Sequence, residues 1–296
     1  GRLNAGVLLY HYGRFDWRAW AVSSSRHSIF VFHNVTPARD LWRWSPLVAL
    51  RALAAEVQLR LLPKDLPWIA VSEFSRRQLS SIGFRMVETV PLIIDPQPPG
   101  PKSERPTLLF VGRISPSKNV IGLVRAFTWA WERAKDKPHL VLVGCRKRRC
   151  AYGDAFERAL RSCSADKDIT WHSTPLRYGE LQTLYRSVWL YVSMSRHEGF
   201  GAPVCEAIAS GTPALYVKCG GTESVLGGAG CVSTGDEGLF GAELLTLLEN
   251  EGARHQLRQE QVARVRGLSR PGVLDQLSSS LTRLAAVRIR AIKTGL

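Results

Sequence analysis

The sequence predicts an α/β protein of two domains, each a parallel sheet covered by helices, the first lacking its front. Three observations carry this. Short apolar runs of strand length alternate with helical periodicities along most of the chain, as a parallel sheet with crossover helices requires. Residues 96–106 interrupt the alternation with five prolines and a glycine, which exclude helix and central strand. The chain begins at Gly1 and reaches its first strand within a few residues, without the strand, glycine-rich turn and helix that usually open a doubly wound domain.

Taken in order, apolar runs at 7–10, 28–32, 68–71 and 88–94 read as strands, and 47–61 and 73–82 as helices, with Ser72 as an N-cap. After the proline-rich stretch, 107–111 is a short buried strand. Positions 120, 123, 124, 127 and 131 are apolar at helical spacing. Strands follow at 140–143, 168–172, 188–193 and 213–217, alternating with helices at 153–163, 178–186 and 203–209. Gly211 stops the last of these helices, and 238–293 reads as helices throughout. The divisions expected are 1–98, a linker at 99–106, 107–275, and a closing helix at 276–296.

Two segments carry chemistry. The run Glu-Gly-Phe-Gly-Ala-Pro-Val-Cys-Glu at 198–206 places two acids around a Gly-x-Gly turn, after a strand and at the start of a helix. Gly199 and Gly201 let the backbone approach an oxyanion, and the first N–H groups of the helix are unpaired. Glu198 and Glu206 can accept hydroxyl hydrogen bonds on either side. A sugar joined through a diphosphate to a ribose has that layout. The second segment, Gly-Arg-Ile-Ser-Pro-Ser-Lys at 112–118, also lies between strand and helix, where Arg113 offers a fork and Lys118 a point charge to phosphate oxygens.

These strings resemble the Glu-x7-Glu and Gly-Arg-x4-Lys elements of retaining glycosyltransferases of the GT-B fold, family 4. The resemblance implies two Rossmann-like domains, an acceptor side in 1–98 and a nucleotide-sugar side in 107–275. It implies that Arg113 and Lys118 grip the donor diphosphate, that Glu198 contacts donor sugar hydroxyls, and that Glu206 binds the ribose. Gly112 and the amides of Gly199, Phe200 and Gly201 would approach sugar and phosphate, and Thr174, after the strand at 168–172, would meet the base. His11, at a strand end, matches the first-domain histidine near the donor sugar, and His33 matches a second recurrent position. The implied activity is transfer of a hexose, with retention and without a metal or other cofactor, from a UDP-, GDP- or ADP-sugar to a glycan or lipid-linked acceptor hydroxyl. His197, beside the motif, reads as a partly exposed loop residue, and Asp166-Lys-Asp168 as a turn unrelated to metal-binding DxD sequences.

Composition bounds the alternatives. Forty basic against twenty-five acidic residues give a net charge of +15, which attracts nucleotides, anionic membrane surfaces or nucleic acid. Six cysteines without CxxC pairing argue against a zinc site. With no secretory signal, a reducing, cytoplasmic setting is expected, with accessory docking at the inner face of the membrane. No apolar run reaches membrane-spanning length. The rivals are an inactive nucleotide-binding relative and a basic module for membrane or nucleic acid, moved by the run 146–149, the cationic tail and the helix at 47–61. Nucleic acid is the less favoured partner.

Overall fold

The structure, a computed structural model, describes residues 7–25, 27–146 and 150–294, with side chains described to residue 285. Lys147, Arg148 and Arg149 of the basic run, the side chains of Arg288, Arg290 and Lys293 in the tail, and Gly1 lie outside the described residues.

The first sheet holds β1 (Leu8–Tyr12), β2 (Ser28–Phe32), β3 (Pro67–Ala70) and β4 (Met86–Thr89), parallel and in that order. Its helices are α1 (Arg18–Ser23), α2 (Pro46–Leu61) and α3 (Glu73–Ser81). β4 ends earlier than the expected 88–94. Val90 N–H still reaches Ala70 O at 2.9 Å, but Pro91 has no N–H to extend the ladder.

The second sheet has β5 (Thr107–Val111), β6 (His139–Val143), β7 (Ile169–His172), β8 (Leu190–Ser193), β9 (Ala214–Val217) and β10 (Cys231–Val232). Its order is β10-β9-β8-β5-β6-β7, all parallel. Between the strands run α4 (Val120–Arg133), α5 (Ala151–Ser162), α6 (Tyr178–Ser187), α7 (Ala202–Ala209) and α8 (Gly221–Leu226). α9 (Glu237–Glu249), α10 (Glu251–Val265) and α11 (Arg270–Thr294) follow. β5 and β8 are central and read as unbroken apolar runs because both faces are covered. In α4 four of the five predicted positions, Val120, Leu123, Val124 and Phe127, are buried; Trp131 is partly buried, and Ala130 takes the inward place in the last turn.

The proline-rich segment rides on the second sheet. Lys102 Nζ donates to Val188 O (2.8 Å) and Thr212 Oγ1 (2.6 Å), and Trp189 Nε1 donates to Ser103 O (2.8 Å). The chain crosses between sheets at 94–95 and again at 268–270, where Ile94 N–H meets Leu268 O at 2.8 Å and Arg270 pairs with Asp95 at 3.0 Å. The closing helix begins at Arg270, six residues before the expected 276, and returns to the first sheet through Arg283–Glu88 at 2.7 Å. The carboxyl ends of both sets of strands meet at this junction, where ligands of open α/β sheets bind.

Candidate active site

On the second-domain side, the backbone turns are packed directly on each other. After β5, Gly112 N–H donates to Val143 O at 2.9 Å. A Cβ on Gly144 would come within 1.8 Å of Gly112 O, so the turns following β5 and β6 touch backbone to backbone. Arg113 stands exposed at the tip of this turn, while Lys118 turns inward. After β8, Arg196 N–H donates to Ser117 O at 2.8 Å, which stitches the glutamate bend to the cationic turn.

Lys118 Nζ forms an ion pair with Glu198, the two side chains 16% and 14% exposed. Glu198 is fixed from behind, its N–H on Cys219 O at 3.2 Å and its carbonyl on Gly221 N–H at 2.9 Å. Gly201 has φ +89, and a Cβ there would stand 2.2 Å from Thr222 Oγ1, so only glycine fits. α7 begins one residue before the expected Pro203, with Pro203 in its first turn. Among the described residues, no protein oxygen accepts from the N–H groups of Gly199, Phe200 or Gly201. Phe200 sends its ring into the core, leaving its amide at the bend. One turn into α7, Glu206 Oε2 accepts from the hydroxyl of buried Tyr185 at 2.9 Å. Burial pushes the Cys205 and Cys219 thiols up to about 12, so neither is a thiolate nucleophile at neutral pH.

The first-domain side meets the same bend with side chains. Ser72, at the start of α3, accepts from Ser75 N–H (3.2 Å) as an N-cap and donates to Gly199 O (2.6 Å). Ser75 Oγ donates to the same carbonyl at 3.3 Å. A Cβ on Gly199 would stand 2.8 Å from both Asn34 Cβ and His33 O, and one on Gly220 would stand 2.7 Å from the Phe74 ring. His11 Nδ1 and His33 Nε2 share a hydrogen bond at 2.6 Å. Partial burial and the facing His11 lower the pKa of His33.

A cavity of about 680 Å³ lies between the domains. The loop 13–18 and α2 wall it from the first domain, and Arg113, Ser115, Ser117, Cys145 and Tyr152 from the second. Glu198, Glu206 and the two histidines are not in its lining, so it adjoins the glutamate bend without containing it.

The structure thus brings Gly112, Lys118, Glu198, Gly199, Phe200 and Gly201 together, while Arg113 lines the adjoining cavity. Glu206 stands one helical turn beyond, and His33 is joined to the bend through its backbone. His11 reaches the group only through His33. Thr174 is exposed in the turn after the edge strand β7, and no hydrogen bond ties it to the other predicted residues. His197 is a partly exposed loop residue, as expected, with one contact the sequence did not announce. It is half-buried and its Nε2 lies 3.1 Å from Asn34 Oδ1, a contact across the domain junction. The Asp166–Asp168 turn is structural, with Asp168 bonded to Arg105 (2.7 Å) and Trp131 (2.8 Å). Sequence reasoning missed Asn34 and the pairing of Tyr185 with Glu206. Asn34 carries one readable signal, a polar residue at a strand end that tolerates positive φ, here 74°. Among the described residues, no three His, Cys, Asp or Glu side chains converge to hold a metal ion.

A family model described as glycosyl transferases group 1 matches residues 94–264. D-inositol 3-phosphate glycosyltransferase of Corynebacterium efficiens is 30% identical over 174 residues, 57% of this chain and 41% of that protein. The Nocardia farcinica protein of the same name is 28% identical over 298 residues, 84% of this chain and 64% of that one. The chain therefore spans less than two thirds of the length of these relatives. Among solved structures, sucrose-phosphate synthase from Thermosynechococcus elongatus superposes with a TM-score of 0.77 at 18% identity, covering 95% of this chain and 74% of that one. At that identity the likeness shows the fold, two parallel-sheet domains of the GT-B type.

Proposed function

The chain belongs to the glycosyl transferases group 1 family, and we propose that it moves a hexose, with retention at the anomeric carbon in the manner of family 4, from a nucleotide-diphosphate sugar to an acceptor hydroxyl on a glycan or lipid-linked molecule. The observation that carries this reading is the Lys118–Glu198 ion pair. It joins two motifs 80 residues apart into one site, with a cation for phosphate and a carboxylate for sugar hydroxyls on adjacent atoms.

In this reading Arg113, Lys118 and the unpaired amides at 199–201 hold the diphosphate and stabilise the charge that grows on it as the bond to the anomeric carbon breaks. Lys118 then divides its N–H donors between phosphate and Glu198, which keeps the carboxylate aimed at the sugar. Glu206, held by Tyr185, takes the ribose hydroxyls, and Thr174 lies toward the base. The His11–His33 pair closes the sugar side from the first domain. The acceptor oxygen bonds to the anomeric carbon on the face the diphosphate leaves, and its proton passes to the leaving phosphate. The reading calls for no metal or other cofactor. The net charge of +15 supports work at the inner, anionic face of a membrane as a peripheral enzyme.

The test is a screen of UDP-, GDP- and ADP-sugars by thermal shift and by release of nucleotide. One donor raises Tm and is turned over. Arg113→Ala lowers the rate by about ten- to a hundredfold, the loss of one charged hydrogen bond of roughly 1.5–3 kcal/mol. Glu206→Ala weakens the shift. Turnover by Arg113→Ala at the parent rate, or a shift unchanged by Glu206→Ala, would overturn the assignments.

A further inference from the structure

A helix that carries one apolar face inward is ordinary; α2 carries two. Ala55 and Leu59 pack in the core under the first sheet, Ala49 is buried, and Gln58 reaches Tyr12 and Asp16. On the opposite side Leu47, Leu50, Leu53, Val57 and Leu61 face outward, exposed from 39% at Leu53 to 75% at Leu47. At 100° per residue these five form one stripe about 120° wide. Arg60 borders it on one flank and Arg51 on the other, and Arg43 and the exposed Trp42 precede the helix. Arg43, Arg51 and Arg60 have no carboxylate partner among the described residues. The one acid of the helix, Glu56, accepts from Ala38 N–H at 2.9 Å and so is engaged by the protein itself. No helix among the described residues is long and apolar enough to cross a membrane.

We propose that this outer face of α2 docks on an anionic lipid bilayer, lying in the interface with the leucine stripe in the acyl boundary and the arginines at the headgroups. The charge pattern favours lipid over a protein partner. A protein would need an apolar ridge with acids placed to meet three separate guanidinium groups, whereas a bilayer offers apolar depth beneath a continuous anionic sheet. Arginine stems can lie along the apolar surface while their heads stay at the phosphates, and an indole such as Trp42 suits the same depth.

The same helix walls the interdomain cavity, which ties the docking to the glycosyltransferase reading above, on which that link rests. The opposite side of the helix, with Val48, Ala52 and Ala55, lines the interdomain cavity, and Arg51 stands between that side and the outer stripe. Across that cavity stand Phe15, Trp17 and Trp44, with Arg14 and Arg113; Asp16, the acid in the same loop, is already paired with Arg18 at 2.9 Å. The docked stripe and the cavity are therefore separated by the width of α2.

The experiment is co-sedimentation of the whole chain with vesicles, without donor, at low and high salt. One set is phosphatidylcholine alone, and the other is phosphatidylcholine with one third phosphatidylglycerol. The protein should pellet with the anionic vesicles roughly a hundredfold more strongly than with neutral ones at low salt, the product of three arginines near the surface, and the preference should shrink at high salt. The double variant Leu53→Ser/Val57→Ser, outside the cavity lining, should bind at least tenfold more weakly with an unchanged Tm. Arg60→Glu should weaken binding to anionic vesicles only. No pelleting by the parent chain overturns the proposal. So does a fall of several degrees in the Tm of the double variant, because the stripe is then covered by its own chain. So does a parent dimer that the double variant dissolves, because the occupant is then a second copy. Donor-induced thermal shift on the same samples separates the two readings. A retained shift without vesicle binding sinks the docking alone, and vesicle binding without a shift sinks the donor site alone.

Discussion

The two sides of the candidate site are built by different means. On the second domain, backbone packs on backbone: Gly144 on Gly112, Gly221 on Gly199, with glycines wherever a Cβ would collide. On the first domain, side chains reach across to that finished surface: Ser72 and Ser75 to Gly199 O, and Asn34 to His197. The first construction leaves no freedom and fixes charges in place. The second can be taken apart one hydroxyl at a time, and it can let go if the domains separate. A rigid donor platform with a releasable clasp suits a transferase whose product must leave.

The comparison breaks most severely at the glycines. A Cβ at Gly144 would lie 1.8 Å from Gly112 O, and one at Gly221 would lie 2.3 Å from Gly199 O, both backbone atoms that cannot step aside. Gly144→Ala and Gly221→Ala should each cost about 3 kcal/mol or more and abolish the donor-induced shift. On the other side, a Cβ at Gly13 would meet its nearest atom, Asn34 O, at 3.4 Å, ordinary contact. Gly13→Ala should stay within about 0.5 kcal/mol of the parent. Urea unfolding of the three variants measures the contrast, and equal losses would erase it.

Next in size is the ion pair. Lys118→Met leaves the mostly buried Glu198 carboxylate without its partner, and the cost should be about 2 kcal/mol, below that of a fully buried pair because some solvent reaches both groups. Lys118→Met with Glu198→Gln should recover part of that loss, since no uncompensated charge remains. A double variant no more stable than Lys118→Met would mean that the pair does not set the local electrostatics.

The clasp should respond more mildly. Ser72→Ala removes both the cap on Ser75 N–H and the 2.6 Å bond to Gly199 O, and should cost about 1 kcal/mol. Ser75→Ala removes a longer bond to the same carbonyl, 3.3 Å, and should cost about half as much. Because Ser72 ties the domains together, its loss should also raise protease sensitivity at the crossing near residues 94–95; an unchanged digestion pattern would place the clasp outside the domain junction.

This asymmetry explains what could be read in advance. The sequence makes the second-domain side visible because a crowded backbone writes itself in glycines and a bound anion in Arg and Lys at fixed offsets, all local in the chain. The parallel sheets, α4 and the stop at Gly211 were legible for the same reason, since periodicity and turn residues are local. The first-domain side depends on distant encounters. Asn34 meets His197 from 163 residues away; on the second domain one contact is hidden likewise, Tyr185 of α6 meeting Glu206 of α7. No spacing encodes either contact. The histidines show the limit clearly: both could be placed at strand ends, but their mutual hydrogen bond follows from β1 lying beside β2 in register, His11 opposite Val31. The helix at 47–61 could be named in advance as a motive for membrane binding, but which of its sides stays outward could not, because a helix apolar on both sides shows no amphipathic period.

The smallest expected effect is a slope. Burial holds His197 below its ordinary value; Lys118 and Arg39 push the same way, and Asp40 and Glu198 oppose. The folded protein therefore keeps His197 neutral, while the unfolded chain takes up a proton near the usual histidine pKa of about 6.5. Between those two values the unfolded state binds more protons, so stability rises with pH there, is complete above about 6.5, and is lost as the solution is acidified. His197→Gln should flatten the fall in Tm between pH 7 and pH 5. His139 supplies the control. It stands at the amino end of β6, away from both rims, and burial and Arg105 lower it in the same sense. His139→Gln should flatten the profile as well, yet leave the donor-induced shift at pH 7 intact, whereas His197→Gln should reduce that shift by loosening Asn34 from the glutamate bend. If the two variants behave alike toward donor, the contact between Asn34 and His197 belongs to the fold alone, and the first-domain side of the site must be sought at His33 and the serines.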